Sequence, residues 1–231
     1  MQNTQSSFIV HLEELRRRII WCLAIVIIAS IISYSFAGKL IYFLSKPIGK
    51  FVFIEPLEAF MAYLKISVFC GIFISFPFIL YHLLAFIIPG LTGRERKFIL
   101  MFLPFGCIFF AAGAVFAYFS MIPFCAKFLI GFSSSWLIPM ISVGNYISFF
   151  CTLIIIFGAV FELPVVILFL NKIGIVNQTI LRRNRKYVIL VIFIIAAIFT
   201  PPDVFSQVIM AIPLLVLYEI GILVCCFGGK K

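Results

Sequence analysis

Six stretches of the chain are apolar over the length that a helix needs to cross a bilayer, and polar or basic segments separate them. They cover residues 19–37, 62–86, 98–119, 146–170, 187–200 and 207–227. A hydrocarbon core of about 30 Å takes roughly 20 helical residues. Inside it a backbone must satisfy its own hydrogen bonds, so such runs predict helices and no strands. The fifth stretch is short and would rise only about 21 Å. Bridging the membrane there requires a locally thinned bilayer or a wet, protein-lined surface. No internal repeat is visible, which counts against carriers built from inverted repeats. The pattern predicts an all-α integral membrane protein with six transmembrane helices in one domain, residues 1–231.

Composition sharpens this reading. Apolar residues make up 65% of the 231 and charged residues 11%, and mean hydropathy is +1.26. A soluble domain of this size needs far more polar surface, so that class is excluded. The formal charge of +10 would raise nucleic acid as a partner in a soluble protein, but the distribution of cations gives a simpler account. Thirteen of the 18 basic residues fall on one side of the predicted spans: Arg16 to Arg18, Arg94, Arg96, Lys97, Lys172, Arg182, Arg183, Arg185, Lys186, Lys230 and Lys231. Loops rich in Lys and Arg stay in the cytoplasm, so both termini are expected there and no nucleic acid is implied. The arginines, the first apolar run and Ser35-Phe36-Ala37 imitate a cleavable leader. That run is long enough to span, however, and Glu13 and Glu14 are out of place in a leader. The seven cysteines form no C-x-x-C pair and read as small buried apolar residues.

Catalytic signatures are missing: the chain has neither a G-x-x-x-x-G-K-[ST] loop nor H-E-x-x-H. His11 and His82 are too far apart to suggest a metal site, and no cofactor is implied. The carboxylates are few, so each is informative. Glu162 falls in the middle of the fourth span, before Pro164. An acid at that depth either packs helices together or faces a polar cavity, and the proline helps form a concavity. Glu14 and Glu95 lie beside arginines in cytoplasmic segments. Their residue types allow mere neutralisation of neighbours or a binding role. Asp203 and Gln207 stand four apart at the start of the sixth span, where a helix cap is the plain alternative.

Taken in order, several blocks resemble a known family. His11-Leu12-Glu13-Glu14-Leu15-Arg16 is similar to the N-terminal H-L-x-E-L-R signature of TatC, the multispanning subunit of the twin-arginine protein translocase. Further blocks match in family order over essentially the whole chain. They are Pro47, Ile79-Leu80-Tyr81, Ala85-Phe86-Ile87 with Pro89, Glu95-Arg96-Lys97, Phe116 to Phe119 with Pro123, Phe161-Glu162-Leu163-Pro164, Thr200 to Gln207, Ala211-Ile212-Pro213 and Tyr218 to Gly221.

The resemblance implies a concave six-helix bundle with short fifth and sixth helices. It implies a receptor that binds twin-arginine signal peptides and exports folded proteins with the proton-motive force. Its expected partners are TatB- and TatA-type single-span subunits, cargo signal peptides and membrane lipid, in an oligomeric complex. The expected setting is a bacterial cytoplasmic membrane, ahead of a plastid or mitochondrial one. Carried over by motif, Glu14 and Glu95 would recognise the arginine pair. Arg16 shares the first motif, and Phe86, Pro89 and Leu91 would line the apolar surroundings. Glu162 would be the polar point inside the membrane cavity, while Gln207 and Asp203 would meet partner subunits. Gly93-Arg94 depart from the family's usual residues, so the surroundings of Glu95 differ. From the residues alone the competing reading is a proton- or ion-coupled carrier titrating Glu162.

Overall fold

A computed structural model describes residues 2–45, 51–52, 54–87, 96–131, 140–172, 174–199 and 204–228. Among them are ten α-helices: α1 (Gln2–Tyr34), α2 (Ala37–Ser45), α3 (Glu58–Ile87), α4 (Arg96–Phe116), α5 (Ile122–Ile130), α6 (Val143–Phe161), α7 (Leu163–Lys172), α8 (Gln178–Arg183), α9 (Arg185–Phe199) and α10 (Val204–Gly228). A π-helical stretch, Ala117–Met121, joins α4 to α5.

Every predicted span has its helix. Among the described residues four continuous stretches are long and apolar enough to cross a membrane: Glu58–Phe86, Phe102–Phe128, Val143–Lys172 and Gln207–Cys225. The first span belongs to α1, which turns by 76° into α2. The turn is closed by Ser35 N–H on the Ile32 carbonyl and Phe36 N–H on that of Ser33. The fifth span is α9, whose 15 residues rise about 22 Å and fall short of the core thickness. The sixth differs from the expectation of two short last helices. It runs 25 residues, because Pro213 is accommodated inside α10 and the apolar run continues past it.

The chain divides into two compact units, Met1–Cys107 with Met140–Cys151 and Ile108–Pro139 with Thr152–Lys231. Two of the boundaries fall inside α4 and α6.

In the first unit α1 packs antiparallel on α3. The rings of Tyr34 and Tyr63 lie 6.5 Å apart at one end, Ser30 faces Gly71 in the middle, and Arg18 reaches His82 at the other end. The approach at Gly71 is so close that an added Cβ would stand 2.8 Å from the Ser30 backbone nitrogen. Only glycine permits that spacing, and small residues are what allow membrane helices to meet closely. Ser30 and Ser67 return their hydroxyls to the Val26 and Tyr63 carbonyls, at 2.7 and 2.6 Å, so neither is left polar toward lipid.

At the far end of this unit one carboxylate gathers several bonds. Glu58, in the first turn of α3, accepts the Ile54 N–H at 2.7 Å, the Gly144 N–H at 2.8 Å and the Ser142 hydroxyl. It thereby joins the segment before its own helix to the start of α6, where unsatisfied N–H groups favour an anion. Val52 and Ser142 form a parallel bridge beside it, and the Lys65 ammonium donates to the Ser148 hydroxyl at 2.7 Å. Glu58→Ala is expected to speed amide hydrogen exchange at Ile54 and Gly144 while leaving the middle of α3 protected. Unchanged exchange at both amides would show that the carboxylate is not the tie.

In the second unit α10 packs on α7, α8 and α9. Ile167, Tyr218, Ile222 and Cys225 form a buried cluster, with Leu181 and Val188 packed against it. Here too a glycine sets the spacing: a Cβ at Gly113 would stand 2.5 Å from the Phe157 carbonyl oxygen.

Candidate functional site

Glu14 sits on α1 one turn before Arg18, and the two side chains form an ion pair. The same guanidinium donates to the His82 carbonyl on α3 at 3.2 Å. Arg18 therefore does two things: it fixes the direction of the carboxylate and ties it to the end of the neighbouring helix. An i,i+4 acid–base pair is stabilising on any helix, but the second bond makes this one part of the helix–helix contact. Phe86, half-buried, lies one turn beyond His82 on α3, so the structure brings it to the same end of the α1–α3 pair. Arg16 is exposed and stands outside that pairing. Glu95, Pro89 and Leu91 lie outside the described residues.

Arg18 is the residue that motif reading passed over. Its spacing from Glu14 was legible, but its bond to His82 crosses 64 positions and no local pattern encodes it. His82 takes part through its backbone, and its ring stands edge-on to that of Tyr81, 5.5 Å away.

Glu162 occupies the one-residue break between α6 and α7. Its N–H bonds to the Ala159 carbonyl at 3.2 Å, and its own carbonyl receives the Val166 N–H at 2.8 Å. Pro164, with no N–H of its own, accounts for the local interruption. The side chain is 7% exposed, and both carboxylate oxygens are enclosed without a hydrogen-bond partner among the described residues. In this conformation the acid is buried. Such a group is costly to bury, and its retention calls for an explanation.

Gln207, in the first turns of α10, donates its amide to the Phe193 carbonyl of α9 at 3.0 Å. Its side chain thus links the last two helices and is half-buried. Asp203 lies outside the described residues.

These sites share no chemistry of bond cleavage. The described residues hold an oriented carboxylate, Glu14, at the end of a helix pair and a second, buried one, Glu162, in the other unit. Among the described residues no three His, Cys, Asp or Glu side chains gather as a metal site requires.

Residues 10–213 match the family model TatC, Sec-independent protein translocase protein. The Sec-independent protein translocase protein TatC of Carboxydothermus hydrogenoformans is 44% identical over 236 residues, covering 100% of this chain and 97% of the relative. The protein of the same description from Helicobacter pylori strain J99 is 41% identical over 215 residues, covering 93% of this chain and 86% of the relative. A crystal structure of the twin arginine translocase receptor TatC in DDM is similar with a TM-score of 0.85 at 38% identity, covering 93% of this chain and 99% of that one.

Proposed function

The chain belongs to the TatC family of Sec-independent protein translocase components, multipass membrane proteins and not enzymes, and on that premise we propose that it is the receptor for twin-arginine signal peptides. The observation that carries the reading is Glu14, held by Arg18 against the end of α3. A guanidinium is planar, always charged and pairs with a carboxylate through two parallel hydrogen bonds. An acceptor whose direction is already set loses less entropy when such a ligand arrives. Glu95 supplies the second acceptor, one for each arginine, and Phe86, Pro89 and Leu91 offer apolar surface to the segment that follows the pair in a signal peptide. Arg16 adds to the positive field that keeps this end in the cytoplasm.

Around that receptor role the remaining assignments fall into place. The chain resides in a bacterial cytoplasmic membrane with both ends inside. TatB- and TatA-type single-span subunits pack near Gln207 and Asp203 in an oligomeric complex. Folded cargo then crosses at the expense of the proton-motive force, with Glu162 acting as the polar point within the membrane.

Binding of a labelled twin-arginine signal peptide to the purified protein in nanodiscs, beside a twin-lysine version, tests the reading. The expected result is a clear preference for arginine that Glu14→Ala and Glu95→Ala each reduce by about tenfold or more, as loss of one partner of a charged pair does. Equal affinity for the two peptides, in wild type and variants alike, would leave only hydrophobic capture and end the receptor proposal.

A further inference from the structure

The connection from α7 to α9 carries chemistry that signal-peptide recognition does not use. Lys172, Arg182, Arg183, Arg185 and Lys186 supply five cations there, and the segment 171–187 contains no acid. Arg185 is paired with Glu219 of α10 at 2.6 Å; Arg182, Arg183 and Lys186 are exposed, and Arg182 also donates to the Gln178 amide oxygen at 2.8 Å. Exposed beside them are large apolar side chains: Ile175 at 62%, Ile180 at 43% and Tyr187 at 59%. The Lys186 ammonium stands 5.1 Å from the centre of the Tyr187 ring.

This surface is built, because several bonds hold its backbone. Asn171 donates to the Val176 carbonyl at 2.9 Å, Asn177 caps the Ile180 N–H at 2.9 Å, and the Tyr218 hydroxyl donates to the Leu181 carbonyl at 2.9 Å. Leu181 faces the buried cluster of α7 and α10.

Cations interleaved with exposed aliphatic and aromatic side chains are the composition of the boundary between headgroups and acyl chains. The next helix agrees. α9 leaves Leu190, Ile194 and Ile198 exposed, an apolar stripe one turn apart, and its 15 residues span only about 22 Å. A helix that short draws the headgroup layer in toward its ends, which puts Arg182 and Arg183 at phosphate level. Two guanidiniums there hold phosphate oxygens in a way that bulk solvent does not.

We infer that the α7–α9 connection is a headgroup site for anionic phospholipid, with Arg182 and Arg183 on the phosphate, Lys186 beside it, and Ile175, Ile180 and Tyr187 seated among the first acyl carbons. The inference rests on the chain crossing the membrane and is independent of what signal peptide it binds.

The test reconstitutes the full chain in vesicles of equal parts phosphatidylcholine and phosphatidylglycerol, extracts it gently, and measures the ratio of the two lipids retained. Wild type is expected to keep phosphatidylglycerol roughly tenfold above the vesicle ratio, and R182Q/R183Q/K186Q to return to it. Because loss of positive charge can invert a span, cysteine accessibility of the loop confirms orientation. The charge-keeping R182K/R183K is expected to retain most of the enrichment. No enrichment in wild type, or full enrichment in a correctly oriented triple variant, overturns the site. Absent enrichment, binding of a polyglutamate peptide in pure phosphatidylcholine overturns it in favour of a protein partner.

Discussion

Gly71→Val is expected to pull α1 away from α3 and to cost the protein more stability than any surface change. An added Cβ would lie 2.8 Å from the backbone nitrogen of Ser30 and 2.9 Å from its Cα. Both are main-chain atoms, so no side-chain rotation relieves the overlap and the two helices must part. Overpacking of this kind costs about 1–3 kcal/mol in a core. Here little compensates for the lost contact, since close packing and not water exclusion holds helices together in lipid. The consequence reaches the candidate site, because the bond from Arg18 to His82 depends on the same helix pair. Thermal unfolding in detergent and binding of the twin-arginine peptide should both fall. Serine at position 30 contributes only part of the clash, so Ser30→Gly should rescue Gly71→Ala incompletely. A melting temperature for Gly71→Val equal to wild type would mean that the pair tolerates a wider spacing.

Glu162→Leu is expected to have the opposite effect on stability and a large one on export. The carboxylate is enclosed and has no partner among the described residues. Replacing it by an apolar side chain of similar size removes an unmet hydrogen-bonding demand worth about 1–3 kcal/mol. The variant should therefore unfold at a higher temperature. If the acid is retained for function, export of a twin-arginine cargo should be strongly reduced in the same variant, with Glu162→Gln between the two. Greater stability joined to lost activity is the signature of a functional group kept against the preference of its surroundings. Full export by the leucine variant would assign Glu162 to helix packing alone.

The helices were legible because bilayer thickness imposes a length, and runs of apolar residues display that length directly. Where helices bend was less legible. Pro77, Pro104 and Pro213 all lie inside continuous helices, whereas Pro164 adjoins a break. Neighbouring helices and local adjustments can satisfy the groups a proline frees, so the residue type alone does not decide. The sharp turn from α1 to α2 comes after Tyr34 with no proline at all. At the site, Glu14 and Glu162 stood out because charge is rare in such a chain. Their surroundings did not, since Arg18 meets a carbonyl far along the sequence. Glu58 is a sharper case: an acid in a first helical turn suggests a cap, but its bonds to Ser142 and Gly144 are created by the fold.

The π-helical stretch Ala117–Met121 sets the angular phase of α5. Closing hydrogen bonds one residue further along, as Ile122 N–H does on the Ala117 carbonyl, takes up one surplus residue without ending the helix. Each residue of a regular helix turns about 100° around the axis. Removing one residue here would rotate α5 by that angle against α4 and carry Ile122 and Cys125, now buried, toward another side. A change of one residue in a loop alters a length, whereas at this point it becomes a rotation. The stretch works as a phase adjuster, and the number of residues in it is part of the fold.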